Sequence, residues 1–237
     1  MRFDVVTLFP ELFAPFLTSG VTRRAFDSGQ IVVRFWNPRD EAEGAYRRVD
    51  DRPFGGGPGM VIMAEPLARS IEKIRRERAG DDPIPAPVVL FSPVGERLDH
   101  AAVAGFSGGA GAILVCGRYE GIDQRFIDTF VDRQLSLGDF VVSGGEIAAI
   151  ALIDAVARLA PGVLNDPDSH ALDSFNPAVG GLLDCPHYTR PEQWRALSVP
   201  QPLLSGHHAR IEEWRREQRQ TLTERHRPDL LGGEPKL

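Results

Sequence analysis

Short apolar runs alternate with stretches of helical spacing through the first two thirds of the chain. Residues 3–9, 31–36, 88–91 and 112–116 are rich in Val, Ile and Phe, the build of buried strands. Residues 65–78, 99–106, 122–131 and 145–160 repeat apolar positions at helical intervals. This alternation predicts an α/β fold, a parallel sheet covered on both faces. Pro161 and Gly162 stop the last of these helices. Residues 164–181 are polar and turn-rich without periodicity, as expected of a linker or a functional loop. A helix is predicted over 206–225, with Ile211, Trp214, Gln218 and Leu222 on one face. Its other faces carry Arg210, Arg215, Arg216 and Arg219 among glutamates, and the region reads as a small helical C-terminal domain.

Composition narrows the class. The 237 residues are 42% hydrophobic and 25% charged, which suits a soluble globular protein with its own core and excludes disorder and collagen. The net charge of −6 argues against nucleic acid, although a local basic patch can survive inside an acidic total. Lys73 and Lys236 are the lysines, so 25 of the 27 basic residues are arginine. Arginine forks suit phosphate and carboxylate, and genome base composition would favour arginine equally well. Cys116 and Cys185 cannot make a disulfide framework or a CxxC zinc site. The N-terminal run lacks the build of a signal peptide. The most apolar stretch, 147–159, is interrupted by Asp154 and Arg158, short of the ~18 apolar residues of a membrane span. A cytoplasmic protein without membrane contact is expected.

Four segments carry candidate chemistry. Residues 50–60, DDRPFGGGPGM, bring glycines that open backbone conformations closed to other residues, beside Arg47, Arg48 and Arg52. A tight turn or an anion cradle would use them, but the Lys-Ser/Thr of a P-loop is missing. Residues 114–123, LVCGRYEGID, join a strand to a helix, where open α/β sheets bind ligands. There Glu120 and Asp123 are either site residues or plain charges at a helix N-terminus. Residues 135–146, LSLGDFVVSGGE, form another strand-to-helix junction, and Ser143 with Glu146 has the spacing of a capping box. No G-x-G-x-x-G occurs at these turns, which argues against a Rossmann site. Asp154 and Arg158 stand four apart on one helix face and could form an ion pair, and Asp173 lies in the polar segment.

Together with LDCPHYTRP at 183–191 and LSGHHA at 204–209, these blocks resemble the bacterial tRNA (guanine-N1)-methyltransferases of the SPOUT superfamily over nearly the whole chain. The resemblance implies a parallel sheet tied into a deep C-terminal trefoil knot, a topology that the rarity of threaded chains would otherwise rule out. It implies a knotted S-adenosylmethionine-binding domain over 1–161, a linker over 162–181 and a helical tRNA-binding domain over 182–237. It also implies a homodimer whose active sites are shared between subunits. S-adenosyl-L-methionine would lie against Leu90, Phe91, Ser92, Pro93, Gly117, Tyr119, Glu120, Gly121, Ser136, Leu137, Gly138, Asp139, Phe140, Val141, Val142, Gly144 and Gly145. Leu90 stands where the family often has tyrosine. The methyl acceptor would be N1 of guanosine 37, immediately 3′ of the anticodon. Asp173 is implied as general base, Arg158 as donor to guanine O6, and Mg2+ as an accessory ion without a legible ligand set. The arginines Arg23, Arg24, Arg47, Arg48 and Arg52 and the C-terminal helix are candidate phosphate grips, or solvated faces balanced by glutamates. A non-enzymatic RNA binder and a nucleotide-phosphate enzyme using the GGGPG loop are the alternatives from other classes.

Overall fold

The computed structural model describes residues 1–81, 85–166 and 169–232. The chain forms two compact units, Met1–Leu164 and Asn165–Leu237. The division falls inside the expected linker, of which residues 167–168 lie outside the described residues.

The first unit runs β1 (Arg2–Val6), α1 (Ala14–Thr18), α2 (Arg23–Asp27), β2 (Val32–Trp36), β3 (Asp50–Asp51), β4 (Val61–Ile62) and α3 (Ala64–Asp81). It continues with β5 (Val88–Arg97), α4 (His100–Phe106), β6 (Gly111–Val115), α5 (Gln124–Phe130), β7 (Arg133–Ser136) and α6 (Glu146–Arg158). Five strands make one sheet in the order β2-β1-β6-β5-β7, every pair parallel. Alternate residues of a strand face opposite sides, so a sheet covered on both sides needs nearly continuous apolar strands. Phe3, Val5, Val89, Phe91, Ala112, Leu114 and Leu135 pack on one side with Phe13, Val103, Leu152 and Val156. Val6, Val88, Leu90, Ile113 and Val115 pack on the other with Leu67, Ile71, Ile74 and Phe126. The polar exception in β1, Asp4, is buried but accepts from Trp36 Nε1 (2.8 Å), Arg2 Nη2 (2.7 Å) and Arg78 Nη1 (2.6 Å). A buried charge is tolerated when paired and hydrogen-bonded in this way.

Three local expectations change. β1 ends at Val6, because Thr7 Oγ1 turns the chain by accepting from Phe9 N at 3.0 Å. β5 runs beyond the expected 88–91 to Arg97, its register against β7 breaking between Phe91 and Glu96. The intervening residues 92–95 bulge from the ladder, a setting that admits Pro93. β7 carries Arg133 and Gln134 and buries only Leu135, as suits an edge strand, so it gives no apolar run. The capping box does not form: α6 starts after Gly145 without a side-chain cap, and Glu146 turns inward. Asp123 is the N-cap of α5, its side chain accepting from Arg125 N at 3.0 Å.

In the second unit, turns over 169–181 include a 3-10 turn at Pro177–Val179, and Phe175 N donates to Leu182 O at 2.9 Å. They lead to the hairpin β8 (Gln193–Trp194) and β9 (Leu197–Ser198), then α7 (Gln201–Leu204) and α8 (His208–His226). On α8, Ile211, Trp214, Gln218 and Leu222 are half-buried. Arg219, expected on a polar face, is buried with Thr223 and lies 3.5 Å from Asp184 Oδ1. Thr223 Oγ1 accepts from Leu183 N at 3.0 Å and donates to Arg219 O at 2.7 Å. The helix therefore docks through a polar pair as well as through its apolar face. Among the described residues, no helix is long and apolar enough to cross a membrane.

Candidate active site

A cleft of about 430 Å³ opens at the carboxyl ends of β5, β6 and β7. Its walls are the β5 bulge, the loop after β6, and the loop from β7 into α6. Leu90, Phe91, Ser92 and Pro93 line the first wall, Gly117, Tyr119, Glu120 and Gly121 the second, and Ser136, Leu137, Phe140, Val141, Val142, Gly144 and Gly145 the third. Gly138 and Asp139 are not lining residues. They shape the third loop, where Ser136 Oγ lies 3.2 Å from both the N and the O of Gly138. Val94, Arg118, Gln134, Ser143 and Ala148 also line the cleft. Arg118 sits inside a segment singled out from sequence, whereas Val94 and Gln134 carry no signal of their own.

The loops after β6 and β7 are tied together. Gly145 N donates to Gly117 O at 3.0 Å, and a Cβ on Gly145 would stand 2.8 Å from Cys116 Cα, so only glycine permits this approach. Arg118 Nη1 donates to Ser143 O at 3.2 Å, and Arg118 Nε lies 3.0 Å from Glu146 Oε2. The other Glu146 oxygen accepts from Thr7 Oγ1 at 2.7 Å, and the Arg118 guanidinium packs 4.5 Å from the Phe9 ring centroid. Tyr119 adopts φ +60°, a conformation rare outside glycine that concentrates at functional sites.

The glycine motif at 55–59 lies beside the second wall. Glu120 N donates to Met60 O at 3.0 Å, and Ile62 N donates to Gly121 O at 2.9 Å, joining that motif to the second wall. Gly59 has φ +76°, and the Glu120 side chain lies directly on it, in the space a Cβ would fill. A carboxylate in that position repels phosphate and favours a cation in the cleft.

Cys116 is not a nucleophile: burial first, and then the nearby Glu146 charge, push its thiol well above the ordinary range. Arg158 is the half-buried last residue of α6 and is not among the residues lining the cleft. Asp173 belongs to the second unit, half-buried in a turn where its backbone O accepts from Asn176 N at 3.2 Å. Of the arginine candidates, Arg23 pairs with Asp27 at 3.0 Å and Arg47 with Asp40 at 3.3 Å, while Arg48 and Arg52 are exposed. Among the described residues, no group of three His, Cys, Asp or Glu side chains could hold a metal ion.

A parallel α/β sheet with a cleft at its carboxyl edge is the architecture in which open α/β proteins place a ligand site. The family model described as tRNA (Guanine-1)-methyltransferase TrmD matches residues 1–233, and the chain belongs to that family. It is 70% identical over 231 residues to the tRNA (guanine-N(1)-)-methyltransferase of Polaromonas sp. (strain JS666), covering 98% of this chain and 89% of the relative. The Paracidovorax citrulli protein of the same name is also 70% identical, over 98% of this chain and 91% of its own. The Bordetella pertussis protein so named is 57% identical over 98% and 90%.

Proposed function

We propose that this chain is an S-adenosylmethionine-dependent tRNA methyltransferase that modifies N1 of guanosine 37, immediately 3′ of the anticodon. The observation that carries the reading is the cleft of main-chain loops with Glu120 laid on Gly59, in a chain of this family. The cleft suits S-adenosyl-L-methionine: bare backbone offers donors and acceptors to adenine and ribose, and a carboxylate attracts a cation. When bound, that group supplies a methyl on a positively charged sulfur. The hydrogen bond from Gly145 N to Gly117 O ties two of the cleft's walls together.

Guanine N1 is a poor nucleophile while protonated, so a base must act on it. Asp173 takes the N1 proton on a carboxylate oxygen. Arg158 donates to O6, where negative charge gathers as that proton leaves. Catalysis that waits for Asp173 to meet the correct RNA couples turnover to substrate choice. Each active site is shared between two subunits of a homodimer. Exposed apolar side chains of the first unit, Phe9, Leu12, Val141 and Ile147, support a partner surface. The trefoil knot is supported by the strand order, in which β5 lies between β6 and β7, and by the close approach of Gly145 to the main chain after β6. Residues 182–237 grip tRNA, and the enzyme works in the cytoplasm.

The test is methylation of an unmodified tRNA transcript carrying guanine at positions 36 and 37, followed by nuclease digestion and mass spectrometry. N1-methylguanine at position 37 is expected, and its loss when that guanine becomes adenine. A methyl on another atom or position would refute the assignment.

A further inference from the structure

We infer that a cavity lying wholly within the second unit takes an unpaired base of the RNA substrate, stacked on Trp194 and Tyr188 with its flanking phosphate at Arg190. The inference rests on the methyltransferase reading for the identity of the RNA. The cavity holds about 440 Å³.

Its walls are the segment 187–192 and the β8–β9 hairpin, in which Trp194 pairs across from Leu197. A two-stranded hairpin is marginal in water, yet this one leaves Trp194 58% and Leu197 68% exposed. Arg195, at φ +57°, sets its guanidinium 4.5 Å from the Trp194 ring centroid. Tyr188 packs its ring edge-on to Trp214 of α8 at 6.2 Å, and it remains 49% exposed. Two exposed aromatic rings at one cavity are what single-stranded RNA modules use to stack splayed bases.

Charge selects the occupant. Arg190 is exposed at this cavity with no carboxylate partner among the described residues, which leaves its fork available to a phosphate. Glu192 also lines the cavity. Its carboxylate disfavours a phosphate inside and accepts from the N–H groups on a base edge, as Glu does with exocyclic amines. An aromatic wall, an acceptor within and an unpaired cation fit a nucleotide in an RNA chain better than an apolar peptide.

Trp194→Ala should raise the KM and Kd for a tRNA transcript by about 5- to 100-fold, the scale of one lost base stack. The kcat at saturating RNA and S-adenosylmethionine affinity should stay unchanged, and Trp194→Phe should restore binding. Arg190→Gln, a surface change that leaves the aromatic wall intact, should weaken binding in the same direction and flatten its salt dependence. Separately, a short single-stranded oligoribonucleotide should quench tryptophan fluorescence in the wild type and not in Trp194→Ala. An unchanged KM in both variants overturns the inference. So does a drop in oligomeric state on Trp194→Ala, which would assign the hairpin to a second copy of the chain. If the wild type methylates no tRNA, the methyltransferase reading fails, and quenching by the oligoribonucleotide still decides the base site.

Discussion

Arg118→Ala is the most informative single change in the first unit. The side chain is 18% exposed and faces Glu146, which is 1% exposed, at 3.0 Å. At that separation the attraction is about 5 kcal/mol for an effective dielectric near 20, before the desolvation of both groups is counted. Breaking a buried pair by removing one partner costs about 3–5 kcal/mol, because the remaining charge is stranded. The partial exposure of Arg118 lets water reach the site, so the expected loss is near the lower bound, ~3 kcal/mol. Glu146→Gln keeps an acceptor for the Thr7 hydroxyl and strands the less buried charge, so it should lose less. The double variant removes both charges and should be more stable than the sum of the singles implies, with a coupling of about 1–3 kcal/mol. Urea unfolding at constant m measures this directly. Singles that add within ~0.5 kcal/mol would show that the pair does not hold the loops, and the reasoning would fall. S-adenosylmethionine affinity should weaken alongside stability in Arg118→Ala, since the Ser143 contact is lost too.

Gly145→Ala forces a methyl against the main chain of Cys116 and Gly117, so a loss of about 1–3 kcal/mol in thermal unfolding and weaker cofactor binding are expected. Asp173→Ala should bind cofactor and tRNA yet transfer methyl about 100-fold more slowly in single turnover; near-normal transfer would remove it as the base. Arg158→Ala should lose rate similarly with the oligomeric state intact by light scattering, and a monomer would instead mark a structural role. Burial alone would raise the Asp184 carboxyl, but the Cys185 N–H and His187 outweigh it and hold it below its ordinary value. A depressed folded-state value adds stability above the unfolded pKa of about 3.9 that is lost as pH falls through the folded value. Asp184→Asn should therefore flatten acid unfolding of the second unit below about pH 4, and an unchanged profile would exclude this role.

Strand and helix content was legible because burial on both faces demands apolar runs such as Ile113–Val115, which no solvent-facing segment would carry. The loops after β6 and β7 were legible for a related reason: glycines at strand ends mark places where backbone must come close to something. Their partners were not. Ser143 and Glu146 have capping spacing, but the half-buried Arg118 outweighed a helix cap, and that arginine lies 28 residues from Glu146 in the chain. The glycine motif at 55–59 signalled close approach without saying that Glu120 would lie on it. β7 was legible only as the strand end of the 135–146 junction and the β5 bulge not at all, since an edge strand with one buried residue and a loop inside a strand leave no periodic trace. Local sequence therefore determined which segments fold and where main chain is bared. Which distant charges meet was decided by tertiary packing alone, because electrostatic pairing depends on distance in space and not on separation along the chain.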